Sequence, residues 1–131
     1  EVGDVVTPFE HLSYGENLAI CQRYFQKIVS DAGFDYGALS VAVGTSSRWY
    51  MPFPLKTEMR VDPTLSFSNV SNFRITLQHS SSDVCTALQI NYNHNERPQL
   101  GCTAGSNSAG ACRMFGFNGS ATAFLALDAE I

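Results

Sequence analysis

Histidine, cysteine and carboxylate side chains set the chemistry this chain can attempt. Its three histidines, His11, His79 and His94, fall in a linker, beside a serine-rich turn and in a hairpin loop. Partners for Ser-His or Cys-His catalysis can meet in space, yet no G-x-S-x-G context marks a nucleophile. Cys21, Cys85, Cys102 and Cys112 are spaced too widely for the C-x2-C pairs of a zinc site, so no metal or other cofactor is expected. Cys102 and Cys112 flank a loop, Thr103 to Ala111, rich in Gly, Ala and Ser, and could pair if it folds back. Buried free thiols are the commoner state in a chain without a secretion signal, so that pairing stays open. In the region after residue 33, Asp35, Glu58, Asp62, Asp83, Glu96, Asp128 and Glu130 stand singly. A glycosidase needs two carboxyl groups facing each other across the scissile bond, which this spacing neither shows nor forbids. The glycines of Gly101 to Gly110 form no G-x-G-x-x-G and carry no P-loop lysine, so they read as a flexible loop. The expectation is a binding protein rather than an enzyme.

Two stretches suit binding. Tyr92-Asn93-His94-Asn95-Glu96-Arg97 gathers an aromatic face with amide, imidazole and guanidinium groups on one loop, and His79 lies in a neighbouring turn. Sugar rings combine an apolar C–H face with a hydroxyl rim, which such a set matches. Arg48-Trp49-Tyr50-Met51-Pro52-Phe53 holds the only tryptophan. Trp49 is a lower-ranked platform, because a Trp-Tyr-x-Pro-Phe run in a β-domain more often packs in the core or at an edge strand. The sequons Asn69-Val70-Ser71 and Asn118-Gly119-Ser120 read as chance matches in a chain with no sign of secretion.

The composition narrows the function classes. Charged residues are 15% of 131 positions, under the roughly 25% usual in soluble domains, while Ser, Thr and Asn fill 30 positions. The surface is therefore neutral and polar. Lys27 and Lys56 are the only lysines, the net charge is -4 and the arginines are scattered, which excludes the basic stripe needed for nucleic acid. No apolar run approaches the roughly 18 to 20 residues of a spanning helix, so no membrane insertion is expected, and the N-terminus lacks the regions of a signal peptide.

Elements must hold these residues in place. Residues 1–13 contain Gly3, Pro8 and the extended-biased Thr7, and read as a strand end or linker closing something upstream. Ser13 as cap, Glu16 three residues later, Lys27 and a stop at Gly33 predict a helix over 14–31. Along it Tyr14, Leu18, Cys21, Phe25 and Ile28 recur as a heptad seam. The seam fits either packing on its own domain or the neck of a short trimer, since isolated helices of this length are marginal. From 32 to 131 the chain reads as strand and turn. Leu39, Val41 and Val43, then Phe73, Ile75 and Leu77, then Leu88, Ile90 and Tyr92 each alternate with small or polar residues, as do Leu125, Leu127, Ala129 and Ile131 at the end. No crossover helix separates them, so the expected fold is mainly β: an antiparallel β-sandwich preceded by one N-terminal helix. Apolar sheet edges on a monomer favour a trimer.

At the N-terminus the segment Glu1-Val2-Gly3-Asp4-Val5-Val6-Thr7-Pro8-Phe9-Glu10, followed by Cys21-Gln22-Arg23-Tyr24-Phe25, resembles the E-V-G-x-x-x-T-P-F-E and C-Q-R-Y-[YF] pattern near the C-terminus of bacteriophage tail fibre and tailspike proteins. Met59-Arg60-Val61-Asp62-Pro63-Thr64 is similar to their M-R-x-x-P-T strand start, and Ala129-Glu130-Ile131 to their closing A-E-[LI]. Residues 66 to 123 match only as strands and turns. The resemblance implies a homotrimeric receptor-binding tip, with the helix near the three-fold axis and loops at the distal end. The corresponding location is a virion tail fibre tip, or an extracellular fibre at a bacterial surface, since phage-derived adhesins carry similar tips. The implied partner is a cell-surface glycan or outer-membrane receptor. A structural cap that registers the trimer, and a polysaccharide depolymerase with carboxylates paired between chains, are the rival expectations.

Overall fold

A computed structural model of the chain describes residues 12–30, 38–46, 48–78, 81–105, 109–119 and 122–130. The linker reading of 1–13 falls almost wholly outside them. One helix, α1 (Tyr14–Gln22), is followed by β1 (Phe25–Val29), β2 (Ala38–Gly44), β3 (Trp49–Pro52), β4 (Thr64–Phe67), a 3-10 turn (Val70–Asn72), β5 (Phe73–Gln78), β6 (Ser81–Tyr92), β7 (Gln99–Ala104), β8 (Cys112–Phe117) and β9 (Phe124–Asp128). The protein is mainly β with a single N-terminal helix among the described residues.

The helix starts where its cap predicts and stops early. The Ser13 hydroxyl accepts from the Glu16 amide (3.3 Å) and the Glu16 carboxylate accepts from the Ser13 amide (2.8 Å), completing a capping box. After Gln22 the chain turns and pairs instead of coiling. The Arg23 carbonyl accepts from Arg60 N (2.8 Å), the Tyr24 carbonyl accepts from Ala129 N (2.7 Å), and β1 pairs antiparallel with β9 from Phe25↔Asp128 to Val29↔Phe124. Tertiary pairing outweighs the weak helical preference of Phe25-Gln-Lys-Ile-Val, since nine helical residues without a buried face are marginal. The expected helix over 14–31 is thus corrected, and with it the seam. Tyr14, Leu18 and Cys21 are exposed on α1, whereas Phe25 and Ile28 lie on β1 with opposite outlooks, Phe25 exposed and Ile28 packed against the core.

The strands form a closed six-stranded barrel, β2-β3-β7-β6-β5-β8, beside a three-stranded sheet, β1-β9-β4, rather than the expected sandwich. Closure comes from β8, which pairs with β2 on one side and β5 on the other. Register shifts in β6, at Cys85/Ala87 and Ile90/Tyr92, and in β2 and β5, add the bends that a small barrel requires. Both sheets share one core. Phe73 stacks on Phe115 (5.7 Å, 6°) and touches Phe117, while Phe67 of β4 meets Phe73 edge-on at 6.1 Å. Leu125 and Leu127 of β9 join the same cluster.

Trp49 occupies the barrel interior and dictates what surrounds it. It is fully buried, its cross-strand partners are Gly44 and Cys102, and the Arg113 guanidinium lies 5.2 Å from its ring while holding Asp83 at 3.1 Å. A large indole leaves room only for small inward side chains on β2. Ala42 and Gly44 therefore face in, and Val41 (58% exposed) and Val43 (47%) face out, reversing the alternation expected for that strand. Gly101 faces outward beneath Tyr50, whose ring would stand 3.6 Å from a Cβ there. The cysteine pairing also differs from the loop-flanking alternative: Cys85 and Cys102, on adjacent strands β6 and β7, form a buried disulfide, and Cys112 is free and exposed.

Replacing Trp49 with Ala would empty the barrel centre and is expected to cost about 3–5 kcal/mol, read as a lowered denaturant midpoint. At the helix start, the hydrogen bonds from Ser13 hold the Glu16 carboxyl below its ordinary 4.5. A lowered folded-state value stabilises the cap above the ordinary value, and that support disappears as pH falls through the folded value. Helical circular dichroism should therefore fray on acidification below that range in the native chain, and Glu16→Gln should flatten the pH dependence.

Candidate functional site

The β6–β7 hairpin ends in the loop that concentrates the candidate binding residues, and two sets of contacts fix its shape. At its base Tyr92 pairs with Gln99, and the Asn91 amide donates to Gln99 Oε1 at 3.0 Å. Across the gap the segment 58–62 grips Asn95. The Asn95 side-chain amide donates to Glu58 Oε1 (2.9 Å) and to the Met59 carbonyl (3.3 Å), its backbone N–H donates to Asp62 Oδ1 (3.1 Å), and its carbonyl accepts from Met59 N (3.0 Å). Buried Pro98 anchors the other side through its carbonyl, which accepts from Phe53 N at 3.0 Å.

With the backbone held, Tyr92, His94, Glu96 and Arg97 converge on an open cavity of ≈ 380 Å³. The Tyr92 and His94 rings are parallel within 7°, with centroids 6.1 Å apart, and Tyr92 is 60% exposed. His94 Nδ1 accepts from the Glu96 amide at 3.3 Å, which orients the ring and leaves the proton of the neutral imidazole on Nε2. Arg113–Asp83 is the only ion pair among the described residues, so Arg97 and Glu96 do not neutralise each other. The rim thus offers donors from Arg97, His94 and the Tyr92 hydroxyl, and acceptors from Glu96.

The structure sorts the sequence candidates. It brings Tyr92, His94 and Arg97 together with Glu96 of the same stretch. Asn95 is corrected from ligand contact to loop anchor, because its amide is consumed by Glu58 and Met59. Asn93 is exposed beside the cavity without lining it. Trp49 is removed from the set: it is a core side chain with no exposed face to offer. His79 lies outside the described residues. The anchors Glu58 and Asp62 carry no local signal of their role, since they sit more than 30 residues away and meet the loop only in the fold.

One carboxylate lines the cavity, so the facing pair of carboxyl groups that a glycosidase uses is not assembled there among the described residues, and no group of three His, Cys, Asp or Glu able to hold a metal occurs among them. No helix among them is long and apolar enough to cross a membrane. No family model, curated protein or solved structure matches the chain.

Removing the anchor should loosen the loop with little effect on the barrel. Asn95→Ala is expected to cost about 1–2 kcal/mol, since it deletes two hydrogen bonds and strands the Met59 carbonyl, and to speed amide exchange selectively across residues 93–98.

Proposed function

We propose that this chain is a trimeric fibre-tip module that attaches to a cell-surface glycan through the end of the β6–β7 hairpin. The observation that carries the reading is the pinned loop presenting parallel Tyr92 and His94 rings beside Arg97 and Glu96, which form no ion pair among the described residues, around an open cavity. An exposed aromatic face accepts the apolar C–H face of a pyranose, and the charged and imidazole groups meet its hydroxyls. Preorganisation by Asn95 reduces the ordering cost of binding. A shallow site of this size binds weakly alone, and three copies on one rigid body supply avidity. The resemblance of the N-terminal, 59–64 and C-terminal segments to phage tail fibre tips supports the trimer and its place on a virion or bacterial surface fibre. The module performs no turnover in this reading.

A second reading, a cap that ends and registers a fibre without binding ligand, draws on α1. None of its side chains is buried, and Tyr14, Leu18 and Ile20 are exposed apolar groups that assembly would cover.

A glycan array followed by titration calorimetry distinguishes the two. The native chain is expected to bind a defined set of surface glycans. Tyr92→Ala and Arg97→Ala should each weaken a single site by about 1–2 kcal/mol while leaving the unfolding midpoint unchanged. Absence of binding in the native chain, or binding insensitive to both substitutions, removes the hairpin as the site.

A further inference from the structure

The three-stranded sheet β1-β9-β4 has two outer strands, and they differ in how they meet solvent. On β4 the polar Thr64 and Ser66 are exposed and the apolar Leu65 and Phe67 are half-buried, the usual way of blunting an edge. On β1 the exposed side chains are Phe25 (45%), Lys27 and Val29 (61%). The hydrogen-bond parity of β1 is fixed by its flanks: the Tyr24 carbonyl accepts from Ala129 N, and Ser30 N donates to the Ala123 carbonyl at 2.9 Å. In an antiparallel ladder alternate residues turn both backbone groups to the same side. Residues 24, 26, 28 and 30 thus face β9, and Phe25, Lys27 and Val29 direct their N–H and C=O groups to the open side. Alongside that side runs an apolar groove of ≈ 460 Å³, floored by Leu18, Phe53 and Pro54. Both lysines of the chain line it, and neither has a carboxylate partner among the described residues.

An edge whose outward backbone groups have no partner among the described residues, with an apolar flank and a central positive charge, selects its own complement: an extended segment alternating apolar, acidic, apolar. Lys27, whose ammonium stands 4.4 Å over the Phe124 ring, also discriminates. Two β1 strands centred antiparallel would oppose lysine to lysine, which disfavours self-pairing of this edge and leaves an acidic segment welcome. The sequence contains such an alternation: Val2, Asp4 and Val6, with no proline between them, would share one face if the segment were extended and would then match Phe25, Lys27 and Val29 residue for residue.

We propose that the open edge of β1 is a docking site for strand addition, and that its occupant is the Val2–Val6 segment of another copy of the chain. Main-chain pairing supplies the affinity, and the Asp4–Lys27 pair, with Lys56 nearby, sets the register. The proposal rests on the self-association in the fibre-tip reading and names the contact that links the copies.

The test uses the full chain with Cys21 and Cys112 replaced by serine. Light scattering first gives the native mass. Lys27→Glu is expected to weaken self-association about tenfold, and Asp4→Lys combined with Lys27→Glu to restore it. Asp4→Cys with Lys27→Cys, oxidised with oxidised glutathione, should give covalently linked copies on a non-reducing gel. An oligomer whose mass ignores the charge reversal, or a cross-link closed within a single chain, overturns the strand addition while leaving the fibre-tip reading standing. A native mass of one subunit at micromolar concentration overturns the trimer and this contact together.

Discussion

Barrel closure by β8 is the constraint on which the rest of the molecule depends. Because Cys112–Phe117 pairs with β2 and β5 at once, the six-stranded sheet has no free edge, and its interior becomes a closed space of fixed size. That space is filled by Trp49, Phe73 and Phe115 together with Met51, Ile75 and Leu100, which leaves room only for small side chains at the inward positions of β2 beside the indole. The inward Ala42 and outward Val41 and Val43 on β2 follow from that volume rather than from hydrophobicity. The Cys85–Cys102 disulfide, buried between β6 and β7, adds a covalent tie to the same wall.

Rigidity of the barrel passes to its longest hairpin. β6 and β7 belong to the closed wall, and their connecting loop is tied to residues 53 and 58–62 by hydrogen bonds on both flanks. The cavity at its tip is therefore built from side chains whose backbone is already ordered. Binding there orders few further groups, which is the condition under which a shallow polar site can be selective. The same economy explains why the Asn95 side chain serves the scaffold: its contacts to Glu58 and Met59 tie the middle of the loop, between the two rings and Arg97, to a distant segment.

The smaller sheet shows the opposite behaviour. Among the described residues nothing closes it, so there it ends in two edges, one polar and one apolar, and the apolar edge lies beside a helix with no buried face. A protein that seals one sheet completely and leaves the other open divides its labour. The sealed part presents the loop, and the open part is where association with other copies is proposed to occur.

Much of this was legible in the residues. The capping box of Ser13 and Glu16, the existence of strands at Phe73–Gln78 and Phe124–Asp128, and the grouping of Tyr92, His94 and Arg97 within six residues are local signals, and local signals survive in a one-dimensional reading, although Arg74, Thr76 and Ala126, expected on the outer face, are buried. The predominance of β-strand and the single helix followed from them. Three things did not. The helix ends at Gln22 because β9, a hundred residues later, offers β1 a hydrogen-bonding partner that outweighs helical propensity. The sheet is a barrel rather than a sandwich because β8 finds partners on both sides, a choice between pairings that alternation alone leaves equal. Asn95 anchors and Trp49 fills because residues distant in sequence, Glu58 and Met59 for one and Cys102 and Arg113 for the other, meet them only once the chain has closed. Sequence by itself determined which residues could pack, cap and bind; the tertiary structure decided which of them are free to do so, because burial and hydrogen-bond satisfaction are properties of neighbours brought together by the fold.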